Sequence, residues 1–239
     1  MPPTRVKYHS KRCITELMQK DEFSFEREQM VDSQIAWRGV SDARVLQAMK
    51  ELPRHLFVSA GMRLLAYADC ALPIQCGQTI SQPYIVALMT SLLGLKGEET
   101  VLEVGTGSGY QSAVLACLAQ KVVSIETIPE LADGARELLR SLKLDNVEVI
   151  RGDGSLGYPS AAPYDGILVT AAAPRVPAAL LEQLKPQGRL VLPVGRRGTQ
   201  DLQLWTQENG TWQYESILPV AFVSLRGEAG WSASKWGEE

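Results

Sequence analysis

Between residues 25 and 52 the apolar positions Met30, Ile35, Val40, Val45, Leu46 and Met49 follow helical spacing, interrupted near Gly39. Ser41-Asp42-Ala43-Arg44 supplies a helix start, and Pro53 supplies a stop. Residues 54–80 carry proline and glycine punctuation with little periodicity and read as a loop-rich segment; helical spacing resumes over 83–95. The rhythm then changes. Short apolar runs at 100–104, 121–126, 147–151, 165–170 and 188–194 predict strands, and the stretches 109–119, 129–143 and 176–184 predict helices. That alternation implies βαβ units and a mostly parallel, doubly wound sheet. Two further runs, 202–205 and 212–217, flank Glu208-Asn209-Gly210, and Asn-Gly between strands predicts an antiparallel hairpin at the C-terminal edge. The expected fold class is α/β, with added N-terminal helices.

One stretch of this pattern carries chemistry. Residues 101–111 read Val-Leu-Glu-Val-Gly-Thr-Gly-Ser-Gly-Tyr-Gln, a strand entering a glycine loop that opens a helix. Gly105, Gly107 and Gly109 let the backbone turn sharply and approach a ligand closely. The loop departs from the G-x-G-x-x-G dinucleotide fingerprint because Tyr110 stands where the third glycine would fall. On its own it could be a ligand-free turn. The next strand ends in Glu126, at the place where an acidic residue of a doubly wound fold accepts hydrogen bonds from a ribose diol. The strand after that ends in Asp153-Gly154, which reads either as a turn or as a carboxylate presented to an adenine amino group. Together these positions point to a nucleoside ligand.

Composition narrows the partners. The chain has 239 residues, 45% hydrophobic and 21% charged, as in an ordinary globular protein with room for a substantial core. A net charge of −3 argues against a nucleic-acid surface, and no apolar run approaches the roughly 20 residues of a membrane span. The basic N-terminus lacks the apolar stretch of a secretory signal. Cys13, Cys70, Cys76 and Cys117 form no C-x-x-C pair, so reduced thiols and a cytoplasmic location are expected. No metal site is expected, since His9 and His55 are the only histidines, His9 in a polar extension and His55 in a structural setting. Ser108 does not sit in a G-x-S-x-G elbow, which rejects a serine hydrolase.

Before the sheet, residues 77–83 read Gly-Gln-Thr-Ile-Ser-Gln-Pro, three hydroxyl or amide side chains among residues that break regular structure. From the residues alone, this is equally a polar loop capping the next helix, with Ser81 as N-cap.

Taken in order, Arg27–Ile35, 53–58, 77–83, 101–111 and Asp165-Gly-Ile-Leu-Val-Thr-Ala-Ala-Ala173 resemble the protein-L-isoaspartate O-methyltransferase family over about residues 27–226. The glycine motif is shared widely among S-adenosylmethionine-dependent methyltransferases, whereas Thr-Ile-Ser-Gln-Pro is more specific. The resemblance implies a Rossmann-like class I methyltransferase fold, S-adenosylmethionine as cofactor, and isoaspartyl-containing proteins and peptides as acceptors. The methyl ester formed would cyclise to a succinimide and reopen partly to aspartate. Ser81 matches the active-site serine, with Thr79, Ile80, Val223 and Ser224 on the acceptor side. Gly105 and Gly107 would face the cofactor, Glu126 its ribose and Asp153 its adenine, with Gln82, Glu103, Thr106 and Gly154 completing the cofactor set. The chain departs from the family pattern at Val223-Ser224-Leu225 (often Val-Pro-Leu), at Thr127 (often Arg) and at Gln75-Cys76.

The expected organisation is a flexible extension over 1–25, a methyltransferase domain over 26–227 and a tail over 228–239, acting as a monomer without nucleic-acid or membrane partners. The alternatives are a methyltransferase with a different protein or small-molecule acceptor, a nicotinamide oxidoreductase and a non-catalytic nucleoside-binding module. The oxidoreductase lacks its third glycine, and the intact Thr79-Ile80-Ser81 segment weighs against a non-catalytic module.

Overall fold

The structure, a computed structural model, describes residues 22–232. The first helix, α1 (Ser24–Gln29), starts within the expected extension, so the folded unit begins at least two residues earlier than the expected boundary. Residues 1–21 of that extension, with His9 and Cys13, lie outside the described residues, as do residues 233–239. α1 continues as a π-turn at Met30–Ile35 and a 3-10 turn at Ala36–Arg38, which Gly39 ends with φ 94°. Helix α2 (Ala43–Glu51) is capped by Asp42, whose carboxylate accepts the N–H groups of Arg44 and Val45. It buries Val45, Ala48 and Met49.

The loop-rich segment folds as 3-10 turns Arg54–Phe57 and Ala60–Leu65, then a two-stranded hairpin of β1 (Leu72–Pro73) and β2 (Thr79–Ile80). Helix α3 (Pro83–Leu93) opens with proline in its first turn and stops at Gly94, which adopts φ 64°.

The main sheet has seven strands: β3 (Thr100–Val104), β4 (Lys121–Glu126), β5 (Val147–Arg151), β6 (Tyr164–Val169), β7 (Leu184–Val194), β8 (Gln200–Glu208) and β9 (Thr211–Val220). Their order is β5-β4-β3-β6-β7-β8-β9, parallel as far as β7, then antiparallel through β8 and β9. Helices α4 (Tyr110–Ala116), α5 (Pro129–Ser141) and α6 (Ala178–Glu182) make the crossovers. The α6 stretch is shorter than the expected 176–184, because β7 begins at Leu184, which pairs with Tyr164 across a register shift. Alternate residues of the central strands face opposite sides of the sheet. Val101, Val122, Leu168 and Val191 join a core with α3 and α4; Leu102, Val104, Ile167 and Leu190 join a second core with α6. Among the described residues no helix is long and apolar enough to cross a membrane.

Strand β3 lies between β4 and β6, so the chain reverses its direction of travel across the sheet at the carboxyl end of β3. Open α/β sheets bind ligands at such a switch point.

Candidate active site at the sheet switch point

The glycine loop leaves β3 in a conformation that side chains other than hydrogen rarely adopt. Gly105 has φ 97°, its N–H donates to Ile125 O at 2.8 Å, and a Cβ there would run into the Thr170 hydroxyl. That hydroxyl donates to Gly105 O at 2.6 Å, tying the loop to the end of β6. The carboxylate of Glu126, buried at the end of β4, grips the loop from the other side. Its Oε2 accepts the Gly107 N–H at 2.9 Å and its Oε1 accepts the Ile128 N–H at 3.0 Å.

These groups line an open cleft at the carboxyl ends of the strands, where small-molecule ligands of open α/β sheets bind. Gly105, Gly107, Glu126 and Gly154, four of the residues the sequence assigns to the cofactor, line it. Thr79, Val223 and Ser224 lie on the cleft as well, on the side expected to receive the acceptor. Sequence reasoning missed Gln78, Thr170, Ala171 and Arg226 as lining residues. Thr170 and Ala171 could have been found, because they follow β6 at the same carboxyl edge as Glu126.

Six expected site residues are absent from the cleft lining, Ser81 and the five that follow. Thr106 is buried, its hydroxyl 2.6 Å from that of Ser124. Glu103 is fully enclosed and its Oε2 accepts from the hydroxyls of Ser112 and Ser124, so it braces the loop from inside the sheet and does not line the cleft. Burial, reinforced by the nearby charge of Glu126, pushes its carboxyl up to about 8, against the pull of the two hydroxyls. Asp153 caps the turn Gly154–Leu156. Its Oδ1 accepts the Ser155 N–H (2.9 Å) and hydroxyl (2.6 Å), and its Oδ2 accepts the Glu228 N–H (2.7 Å). The carboxylate therefore anchors the C-terminal segment, while Gly154 beside it faces the cleft. Gln82 donates its side-chain amide to Asp69 O at 3.0 Å. Ile80 is buried in the core, since Thr79 and Ile80 must face opposite sides of β2.

The N-cap of α3 is Gln82, without a side-chain cap bond, which corrects the capping reading of Ser81. Ser81 is half-buried, and its hydroxyl has no hydrogen-bond partner among the described residues. Its carbonyl accepts Nη2 of the buried Arg54 at 2.7 Å. The C-terminal segment closes the other side of the cleft. Ala172 donates its N–H to Val223 O and accepts the Leu225 N–H, both at 2.8 Å, so the intervening Ser224 turns its own N–H and C=O away from Ala172. The Trp231 indole N–H donates to Ala172 O at 3.0 Å, which places at least the first part of the expected tail on the domain.

His55 is buried, with its Nδ1 2.8 Å from the Tyr67 hydroxyl, a structural setting as expected. Among the described residues no three His, Cys, Asp or Glu side chains cluster as metal ligands would.

A glycine loop at a sheet switch point, a carboxylate on the neighbouring strand and an antiparallel C-terminal edge define a Rossmann-like class I methyltransferase, the class that uses S-adenosylmethionine. The comparisons with known proteins narrow this further. The profile of the protein-L-isoaspartate(D-aspartate) O-methyltransferase family matches residues 25–230. The chain is 56% identical over 208 residues to the protein-L-isoaspartate O-methyltransferase of Methanoregula boonei, covering 87% of this chain and 96% of the relative. It is 53% identical over 215 residues to that of Syntrophus aciditrophicus, covering 89% and 99%. Among solved structures, a protein-L-isoaspartate O-methyltransferase superposes with a TM-score of 0.78 at 30% identity, covering 85% of this chain and 67% of that one. A Plasmodium falciparum beta-aspartate methyltransferase in complex with S-adenosyl-L-homocysteine superposes with a TM-score of 0.73 at 25% identity, covering 84% and 98%. The chain belongs to the protein-L-isoaspartate(D-aspartate) O-methyltransferase family.

Proposed function

We propose that the chain transfers the methyl group of S-adenosylmethionine to the free carboxylate of L-isoaspartyl residues in damaged proteins and peptides, the first step of their repair. The observation that carries the acceptor assignment is the Ser81 hydroxyl. It has no protein partner among the described residues and follows Thr79, which lines the cleft, by two residues, although Ser81 itself is outside the cleft lining.

The residues present fit the cofactor. Each Glu126 oxygen accepts one backbone N–H and keeps a further acceptor position for a ribose hydroxyl. Gly105, Gly107 and Gly154 leave the wall free of side chains where the ligand must lie close. When bound, S-adenosylmethionine supplies a methyl group on a sulfonium sulfur, which departs as a neutral thioether.

The protein's part is alignment and exclusion of water. A carboxylate acceptor has a pKa near 4 and is already ionised at pH 7, so no general base is required of a chain poor in histidine. The Ser81 hydroxyl donates to that carboxylate and fixes the direction in which its free oxygen points. Thr79 lies beside it on the cleft wall. Across the cleft, the free N–H and C=O of Ser224 are suited to pairing with the acceptor's extended backbone. Arg226 lines the cleft at its C-terminal edge, and the segment after it is tied down by the Glu228 N–H to Asp153.

The test compares an isoaspartyl peptide with its aspartyl twin as acceptor of radiolabelled methyl. Base-labile label enters only the isoaspartyl peptide, and Ser81→Ala lowers kcat/KM by about 10- to 100-fold, the worth of a hydrogen bond to a charged group. Equal labelling of both peptides, or full transfer by Ser81→Ala, sinks the assignment.

A further inference from the structure

Arg54 is completely buried. It opens the 3-10 turn after α2 and reaches into the acceptor side of the site. Its Nε donates to Ala66 O and its Nη2 to Ser81 O, both at 2.7 Å. Its guanidinium carbon lies 4.8 Å from the centre of the Tyr110 ring. Tyr110 is the first residue of α4, directly after the glycine loop, and is itself buried. Arg54 therefore touches both the loop that presents Ser81 and the helix that carries the glycine loop.

Its charge is the unusual part. Both of its hydrogen-bond acceptors are uncharged carbonyls. Burial pushes the hydroxyl of the neighbouring Tyr110 above its ordinary value, so that ring offers no negative charge. Among the described residues no carboxylate pairs with it. Burial lowers its pKa from the ordinary arginine value, yet a guanidinium keeps its proton in proteins. A buried charge without a counter-ion is strongly unfavourable. A device that only tied Ala66 to Ser81 could be built from a neutral amide at lower cost.

The acceptor resolves this. Ser81 Oγ is four bonds from the carbonyl that Arg54 holds, so an anion at that hydroxyl stands roughly 7 Å from the guanidinium, near enough to be attracted by it. We propose that Arg54 is a positioning residue with a second role: it fixes Ser81 through its carbonyl and supplies the counter-charge that makes the site select a carboxylate over a neutral group. The inference rests on the assignment of Ser81 to the acceptor. The isoaspartyl carboxylate is then the missing partner of a cation the fold has already buried.

The experiment measures binding by calorimetry in the presence of S-adenosylhomocysteine, so that nothing turns over. The ligands are an isoaspartyl peptide and the same peptide with its free carboxylate converted to a carboxamide. Two unit charges roughly 7 Å apart at an effective dielectric near 20 attract enough to give the wild type a carboxylate preference on the order of 50-fold. Arg54→Gln is expected to bring that preference to within about threefold, with the affinity for S-adenosylhomocysteine unchanged. Arg54→Lys is expected to keep the preference but lower kcat, because an ammonium preserves the charge without the fork that holds both carbonyls. A purely structural role would move stability and both affinities together, and would leave the ratio alone.

A wild type without preference overturns the proposal, as does a folded Arg54→Gln that keeps it. If Arg54→Gln does not fold, Arg54→Lys decides: retention of the preference supports the counter-charge and its loss in a folded, still charged variant overturns it. Failure of the underlying reading looks different, because the wild type would then not methylate the isoaspartyl peptide at all.

Discussion

Replacing Glu103 by glutamine should make the protein more stable in neutral and mildly alkaline solution and flatten its pH dependence. Glu103 is fully enclosed, and its Oε1 has no hydrogen-bond partner among the described residues. Burial holds its carboxyl at about 8, against an ordinary value of 4.5. A raised pKa means that the folded protein keeps a proton that the unfolded chain releases. Below the unfolded pKa both states are protonated and the group's contribution is complete. Between 4.5 and about 8 the unfolded state gains by ionising while the folded state cannot follow. Stability then falls by about 1.4 kcal/mol per pH unit, an integrated loss on the order of 5 kcal/mol across the window, and levels off above it. Glutamine has no proton to exchange and keeps an acceptor for Ser112 and Ser124. The check is urea denaturation of both proteins at intervals from about pH 5 to about pH 9; groups common to both cancel in the difference. The variant should gain on the wild type steadily up to about pH 8 and no further. Parallel curves would refute the reasoning, because they require Glu103 to be ionised inside the fold. S-adenosylhomocysteine affinity should change by less than about threefold in the variant, since the Glu103 side chain does not line the cleft.

Two predictions concern the cofactor wall. Gly105→Ala places a Cβ against the Thr170 hydroxyl at φ 97°, and the resulting backbone strain should weaken S-adenosylhomocysteine binding at least tenfold or so by calorimetry; unchanged affinity would mean that the loop is not held as described. Glu126→Gln replaces one acceptor oxygen with a donor that faces a backbone N–H, so the same titration should show affinity reduced by about 10- to 100-fold. A change under about twofold would remove Glu126 from the ribose role.

The regular half of the molecule was legible because its signals are local. The strand run at 121–126 coincides with β4, since a strand between two helix layers is apolar on both faces, and the run at 147–151 coincides with the edge strand β5, which buries Val149. Gly105 and Glu126 were legible for a related reason: the βαβ unit places the ends of consecutive strands side by side. Side-chain direction was less legible. Glu103 is two residues before Gly105 and looked like part of the cofactor wall, yet it points into the sheet, where Ser112 and Ser124 meet it. Asp153 stands at the right strand end, but its carboxylate bonds the turn it caps and Glu228, a partner 75 residues away that no local pattern announces.

The acceptor loop shows why irregular segments resist such reading. Thr79-Ile80-Ser81 could be identified as a unit, but a two-residue strand sends neighbouring side chains to opposite sides, so Ile80 must enter the core if Thr79 is to face the cleft. What steadies the next residue is Arg54, 27 positions upstream in a segment without periodicity. A lone arginine between Pro53 and His55 looks like a surface residue in sequence, because arginine is rarely buried unless paired. Its burial without a carboxylate partner is a property of the packed structure alone, and it ties the acceptor loop to Tyr110 at the start of the helix that follows the glycine loop. The acceptor loop is thus held by a residue to which the sequence reading gave no role, through hydrogen bonds to carbonyls that any sequence would provide.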